Sequence, residues 1–150
     1  MIQKQILHIL ESNSKIAPQE IAMRLHLDVS EVYNSIKLAE EQGVILKYKA
    51  VVDWNKIGEE KIWALIEVKA TPYGEKGFNE VAQSIYSFPQ VRSVYLASGT
   101  YDLLVVVIGD NMQEVAIFVS EKLATLKSIQ GTVTHFILKK YKEDGEVLSI

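Results

Sequence analysis

The groups best suited to chemistry in this chain lie at Ser98-Gly99-Thr100-Tyr101-Asp102 and, further on, at Thr132 and Thr134. Gly99 and Thr100 offer backbone N–H groups in a tight turn, where glycine takes a positive φ at low cost and aspartate bonds backbone. Those N–H groups suit a carboxylate. Asp102 suits an α-amino group as an ion pair, and the two threonines add hydroxyls. An anion cradle, a carboxylate and small donors are what an amino-acid ligand needs. The plainer reading is that Asp102 closes the turn and the threonines fill a strand surface. The residues alone leave both open.

Catalysis has less to stand on. The chain has no cysteine, so it has no disulfide framework, thiolate metal site or thiol nucleophile. His8, His26 and His135 lie far apart in sequence without metal-ligand spacing. No Gly-rich phosphate loop or nucleophile elbow is present. Tyr33, Tyr95 and Tyr101 suit packing better than proton transfer. The expectation is a binding protein, with neither metal nor cofactor.

With 150 residues, 48% of them hydrophobic, there is room for one average domain or two small ones. The net charge is −3, so binding to nucleic acid has to rest on a local surface. The first residues have no continuous apolar core of signal-peptide length. The longest apolar run, Leu103 to Ile108, is far too short to span a bilayer. A reducing cytoplasm and no membrane are therefore expected.

Three helices are expected in the first third. Ile2, Ile6, Leu7, Ile9 and Leu10 fall near helical spacing over residues 2–12. Asn13-Ser14-Lys15 breaks that helix, and Pro18 suits the first turn of the next, which ends near Arg24 or Leu25. Asp28 is placed to cap a third helix, with Glu31 reaching back as in a capping box. Val29, Val32, Tyr33, Ile36 and Ala39 read as its apolar stripe, and Gly43 as the residue after its C-cap. Residues 18–42 thus have helix-turn-helix organisation. The β-prone run Val44–Val52 is a candidate wing strand.

Residues 53–61 are polar and read as a linker between a domain at 1–52 and another at 62–150. In the second domain Ile62–Ala70 reads as a strand and Thr71-Pro72-Tyr73-Gly74 as a turn. Lys76–Ser87 reads as a helix stopped by Pro89. Two strands flank the Ser98–Asp102 turn as a hairpin. A second helix starts at Asn111 or Met112 and buries Val115, Ala116, Val119, Leu123 and Leu126. Gly131–Lys140 reads as the last strand, followed by a polar tail. The order is βαββαβ, the ferredoxin-like split βαβ motif. Its third strand is central, which fits the unbroken apolar run Leu103–Ile108. Both helices of that motif cover one side of the sheet. The other side would show Trp63 or Ile62, Tyr95 or Leu96, and alternate members of 103–108, a patch unusual on a soluble monomer. A homodimer is expected to cover it.

Pro18-Gln19-Glu20-Ile21-Ala22, Leu27-Asp28 and Gly43-Val44-Ile45 are followed by a strand candidate and a βαββαβ domain. That domain carries Phe88-Pro89-Gln90-Val91 and Ser98-Gly99-Thr100-Tyr101-Asp102-Leu103-Leu104. The whole chain resembles the Lrp/AsnC (leucine-responsive, feast/famine) transcription regulators. The resemblance implies an α+β protein: an N-terminal winged helix-turn-helix that binds double-stranded DNA, plus a C-terminal ferredoxin-like effector domain. It also implies dimers through the sheet, further assembly into octamers or larger, and an amino acid or similar metabolite bound between subunits near the hairpin turn. The third helix would then enter the major groove, with Ser30, Asn34 and Ser35 at bases and Lys37, Lys47 and Lys49 at phosphates. Gln19 joins that set. The effector set is Ser98, Gly99, Thr100, Tyr101, Asp102, Thr132 and Thr134.

Against the family pattern, Ser35 stands where arginine is frequent, His26 where glycine is usual, and Ala17 where serine caps the second helix. Residues 1–50 hold six Lys/Arg and six Asp/Glu. Weak DNA binding by one dimer is expected. A metabolite-sensing oligomer that has lost DNA binding stays open as the alternative.

Overall fold

A computed structural model describes residues 2–59, 61–72 and 77–148. The expected turn at Tyr73-Gly74 and the expected helix start at Lys76 lie outside the described residues. Contacts divide the chain into two compact units, Met1–Val51 and Val52–Ile150.

The first unit is three helices: α1 (Ile2–Ser12), α2 (Pro18–Leu25) and α3 (Val29–Glu41). Ile6, Leu10, Ile16, Ile21, Ala22 and Val32 form its core. Pro18 opens α2 with no N–H to leave unpaired, and Ala17 before it has no side chain to cap with. His26 ends α2 in the left-handed region, at φ 54°. Histidine occupies that region more readily than most side chains but less easily than glycine. Asp28 precedes α3 in extended conformation without a side-chain bond to the helix, so the expected capping box is not made. The far end is closed by a Schellman motif. Gly43, at φ 67°, donates to Glu40 O at 3.0 Å, and Val44 N donates to Ala39 O at 2.8 Å.

The expected wing strand is not seen. No residue of the run Val44–Val52 joins a sheet among the described residues. A strand needs a partner ladder to satisfy its backbone, and both sheets of the structure draw their strands from later residues. One tie on the run is Tyr48, whose hydroxyl donates to Glu40 Oε1 at 2.8 Å. Burial pushes the Tyr48 phenol above its ordinary pKa, and the Glu40 carboxylate adds to the rise. A short 3-10 turn, Trp54–Ile57, lies inside the stretch read as linker.

In the second unit β1 (Ile62–Ala70), α4 (Phe78–Tyr86), β2 (Val91–Leu96), β3 (Leu103–Gly109), α5 (Met112–Phe118) and β4 (Ile129–Ile137) follow the expected order. The four strands pair antiparallel as β2-β3-β1-β4, with β3 and β1 central. Ala64, Ile66 and Val68 of β1 and Leu103, Val105 and Val107 of β3 are buried against Val81, Ile85, Val115, Phe118 and Leu123. Phe88 and Phe118 meet edge to face at 5.4 Å.

Two expected elements shift. The second helix is regular only to Phe118 and widens into a π turn over Val119–Leu123. Ala116 is exposed, and Phe118 is the residue that fills the core in its place. The last strand starts at Ile129 and stops at Ile137, earlier than Gly131–Lys140, because its partner β1 runs out: Trp63 faces Ile137. Past it, β5 (Lys142–Glu143) and β6 (Glu146–Val147) make a small hairpin. Asp144 and Gly145 turn it at φ 46° and 88°, the backbone an Asp-Gly turn favours.

Gly109 lets α5 approach the sheet. A Cβ there would fall 2.8 Å from Cγ2 of the buried Val115 and 3.3 Å from Glu114 Oε2. Gly109→Ala is expected to lower stability by about 1–3 kcal/mol through overpacking. Urea unfolding checks this, and wild-type stability would rule out the close approach.

Candidate functional site

The helix-turn-helix presents α3 with Val32, Ile36 and Ala39 inward. Ser30, Asn34 and Lys37 are exposed, as expected, and so are Leu38 and, on α2, Gln19. Two positions are exchanged relative to the expected stripe. Ser35 is half-buried rather than outward. Tyr33 is 60% exposed rather than packed, with Val29 at 41%. A residue is turned about 100° from its neighbour on an α-helix. Taking Val32 as the inward direction, Tyr33 lies well off the buried face and Ser35, three residues on, lies nearer to it. Lys37 is exposed beside Glu41 at 3.9 Å, a pair that holds it weakly. Lys47 and Lys49 are exposed in the segment after α3, where the Lys49 carbonyl accepts from Ser14 Oγ at 3.5 Å.

The Ser98–Asp102 turn joins β2 to β3 and is tied to the end of β1. Asp102 N donates to Val68 O at 3.0 Å, and Asp102 Oδ2 accepts from Ala70 N at 2.9 Å. Asp102 therefore closes the turn with one oxygen. Gly99 sits at φ 130°, and Ser98, Gly99 and Thr100 are exposed, while Tyr101 is half-buried. Lys69 Nζ donates to Thr100 O at 3.3 Å. Sequence reading missed Lys69, an exposed cation beside the turn. The signal was available: in βαββαβ order β1 and β3 are antiparallel neighbours, so the end of β1 meets the start of β3.

Thr132 and Thr134 are not beside the turn. They pair across from Val68 and Ile66, on the face that the helices cover. With β1 between β3 and β4, two strand spacings of about 4.8 Å separate them from β3. The two best-formed hollows of the described surface, about 350 and 270 Å³, lie at the other end of β3, around Gln90, Asp110 and Glu114. Their polar groups bond one another. Lys61 pairs with Asp110, which holds the Lys61 ammonium above its ordinary pKa. Asp110 N donates to Glu114 at 2.7 Å, and Glu114 N to Asn111 at 2.8 Å. No group of histidine or acidic side chains suited to a metal occurs among the described residues. No described helix is long and apolar enough to cross a membrane.

Residues 63–147 match the Lrp/AsnC ligand binding domain, and residues 2–45 match a winged helix-turn-helix DNA-binding domain. The chain belongs to the Lrp/AsnC family. An uncharacterized HTH-type transcriptional regulator of Bacillus subtilis (strain 168), YugG, is 50% identical over 146 residues, 97% of this chain and 88% of that protein. HTH-type transcriptional regulator FL11 of Pyrococcus furiosus is 33% identical, over 97% of this chain and 93% of its own length. Among solved structures, transcriptional regulator NMB0573 of Neisseria meningitidis, in complex with L-Met, superposes with a TM-score of 0.72. It is 23% identical, covering 95% of this chain and 91% of that one, a likeness of fold. As an Lrp/AsnC protein this chain is a DNA-binding transcription regulator with a ligand-binding domain, and not an enzyme.

Proposed function

We propose that this regulator is tuned by an amino acid or similar small metabolite, bound at the Ser98–Asp102 turn, which changes its assembly or its hold on DNA. The observation that carries this is a ligand-binding domain and a DNA-reading helix-turn-helix in one chain. The L-Met complex of the Neisseria regulator supports the class of ligand. Gly99 and Thr100 supply N–H groups for the α-carboxylate, with Lys69 beside them. Asp102 gives one oxygen to Ala70 N and leaves the other for the ammonium. In a single chain Ser98, Gly99 and Thr100 lie open to solvent and Thr132 and Thr134 stand apart from the turn, so a second protomer completes the site.

That protomer packs on the open sheet face. Trp63, Leu65, Leu104, Val106 and Ile108 share it with Tyr95 and Val133 across the registers, Tyr95 being 55% and Val133 52% exposed. The homodimer builds larger assemblies such as octamers, and it works in the cytoplasm, where the DNA is. The reading in which DNA binding has been lost is not favoured, because Ser30, Asn34 and Lys37 remain outward on an intact α3.

Calorimetry against a panel of amino acids tests the turn. Lys69→Gln keeps the Asp102–Ala70 bond and is expected to weaken the best ligand about ten-fold. Asp102→Ala is expected to weaken it by more, since a charge-assisted bond contributes about 1.5–3 kcal/mol. Heats equal to wild type in both variants would remove the turn from the site. A gel shift on DNA upstream of the protein's own coding sequence, with and without that ligand, tests the coupling.

A further inference from the structure

We infer that Tyr33, with Val29 beside it, reads the C5-methyl group of a thymine in the major groove, next to an adenine bonded by Asn34. This rests on the DNA-binding reading and names what the groove face of α3 reads. Val29, Tyr33 and Lys37 are spaced i, i+4, i+8 and form one outward row. Ser30, Asn34 and Leu38 form the next. In the Tyr33 row an apolar methyl pair, an aromatic ring and a cation follow one another along the groove.

Nothing in the fold accounts for Tyr33 being there. The residue is 60% exposed, it lies outside the core of α1, α2 and α3, and none of the side-chain hydrogen bonds of the described residues involves it. A tyrosine with most of its surface in water leaves apolar area exposed for no gain in stability. It sits one turn into α3, in the N-terminal half, where a recognition helix meets base edges. Apolar contact is how the thymine methyl is recognised, and an asparagine bonds adenine N6 and N7 on the same groove floor. The electroneutral first unit makes such a contact weigh more. With little phosphate attraction to supply affinity, more of it must come from the bases.

Binding isotherms of three proteins on two duplexes, six in all at one salt concentration, test this. The probe is a sequence selected by the wild-type protein from a randomised pool, synthesised once with thymine and once with uracil throughout. Wild type is expected to bind the uracil duplex about four-fold more weakly for each half-site, the effect of one methyl group removed from contact. Tyr33→Phe is expected to match wild type on both duplexes, because the ring and not the hydroxyl makes the contact. Tyr33→Ala is expected to bind the thymine duplex as weakly as wild type binds the uracil one, and no longer to tell them apart. Equal wild-type affinity for the two duplexes overturns the inference and leaves the DNA-binding reading standing. So does a Tyr33→Ala variant that still separates them. Loss of affinity in Tyr33→Phe without any thymine dependence would place the hydroxyl on a phosphate instead, and overturns it too. A pool from which nothing is enriched would take down both readings together.

Discussion

Val106→Asp is expected to split the protein into monomers and to lower its affinity for DNA about a hundred-fold or more. Val106 lies near the middle of the open sheet face. It pairs with Leu65 on one side and Ser93 on the other, and both central neighbours on its own strand, Val105 and Val107, point into the buried core. The side chain is half-buried within the single chain, so a carboxylate there leaves the core of the protomer untouched. Packed against a second copy, the same carboxylate would be carried out of water without a partner, which costs several kcal/mol per ion. A two-fold axis doubles the penalty, because the same substitution enters from both sides. Two linked reading heads bind a duplex more tightly than one by an effective-concentration factor of about 10²–10⁴, and the monomer loses that factor. Sedimentation velocity reads the mass, circular dichroism confirms the fold, and anisotropy on the selected duplex reads the affinity. A Val106→Asp protein that stays dimeric would move the interface off this face.

The sheet was legible in the sequence because its signals are redundant. Leu103–Ile108 is apolar at every residue, which only a central strand satisfies, and the βαββαβ order independently makes that strand central. Alternation in Ile62–Ala70 then assigned one face to the helices, and the register decided the open face in favour of Trp63 and Tyr95 over Ile62 and Leu96. What was less legible depended on partners distant in sequence. The end of β4 is set by where β1 begins, not by its own β-propensity, so residues 138–140 read as strand and are not. The run Val44–Val52 has strand composition and no partner strand among the described residues. Ala116 is turned about 100° from the buried Val115 and faces solvent, while Phe118 and Val119 fill the core. For the site, turn chemistry located Ser98–Asp102 but not what braces it, because Lys69 and Ala70 lie some thirty residues earlier in the chain. On α3, hydrophobicity pulled Tyr33 into the apolar stripe. Helical geometry, counted from Val32, puts it outside.

Replacing Lys37 and Lys47 together with alanine is expected to weaken binding to every DNA sequence alike and to flatten its dependence on salt. Residues 1–50 carry as many acidic as basic side chains, and Arg24 is engaged by Glu20 at 2.5 Å. Few cations are therefore left to displace counterions from the duplex. Lys37 is on the groove row of α3, and its exposed pair with Glu41 at 3.9 Å is worth less than a phosphate contact. Lys47 is exposed in the segment that leaves α3, on the flank where a backbone would pass. Each phosphate neutralised contributes about 0.9 to the slope of log affinity against log salt. Two lysines on each of two heads should flatten that slope by about 3.6 units, and affinity near 0.1 M salt should fall about a hundred-fold or more. Base preference should not change, since phosphates carry no sequence. This separates the double variant from Tyr33→Ala, which should change thymine preference and leave the slope alone. A slope equal to wild type would mean that neither lysine meets the duplex, and α3 would have to dock in another orientation.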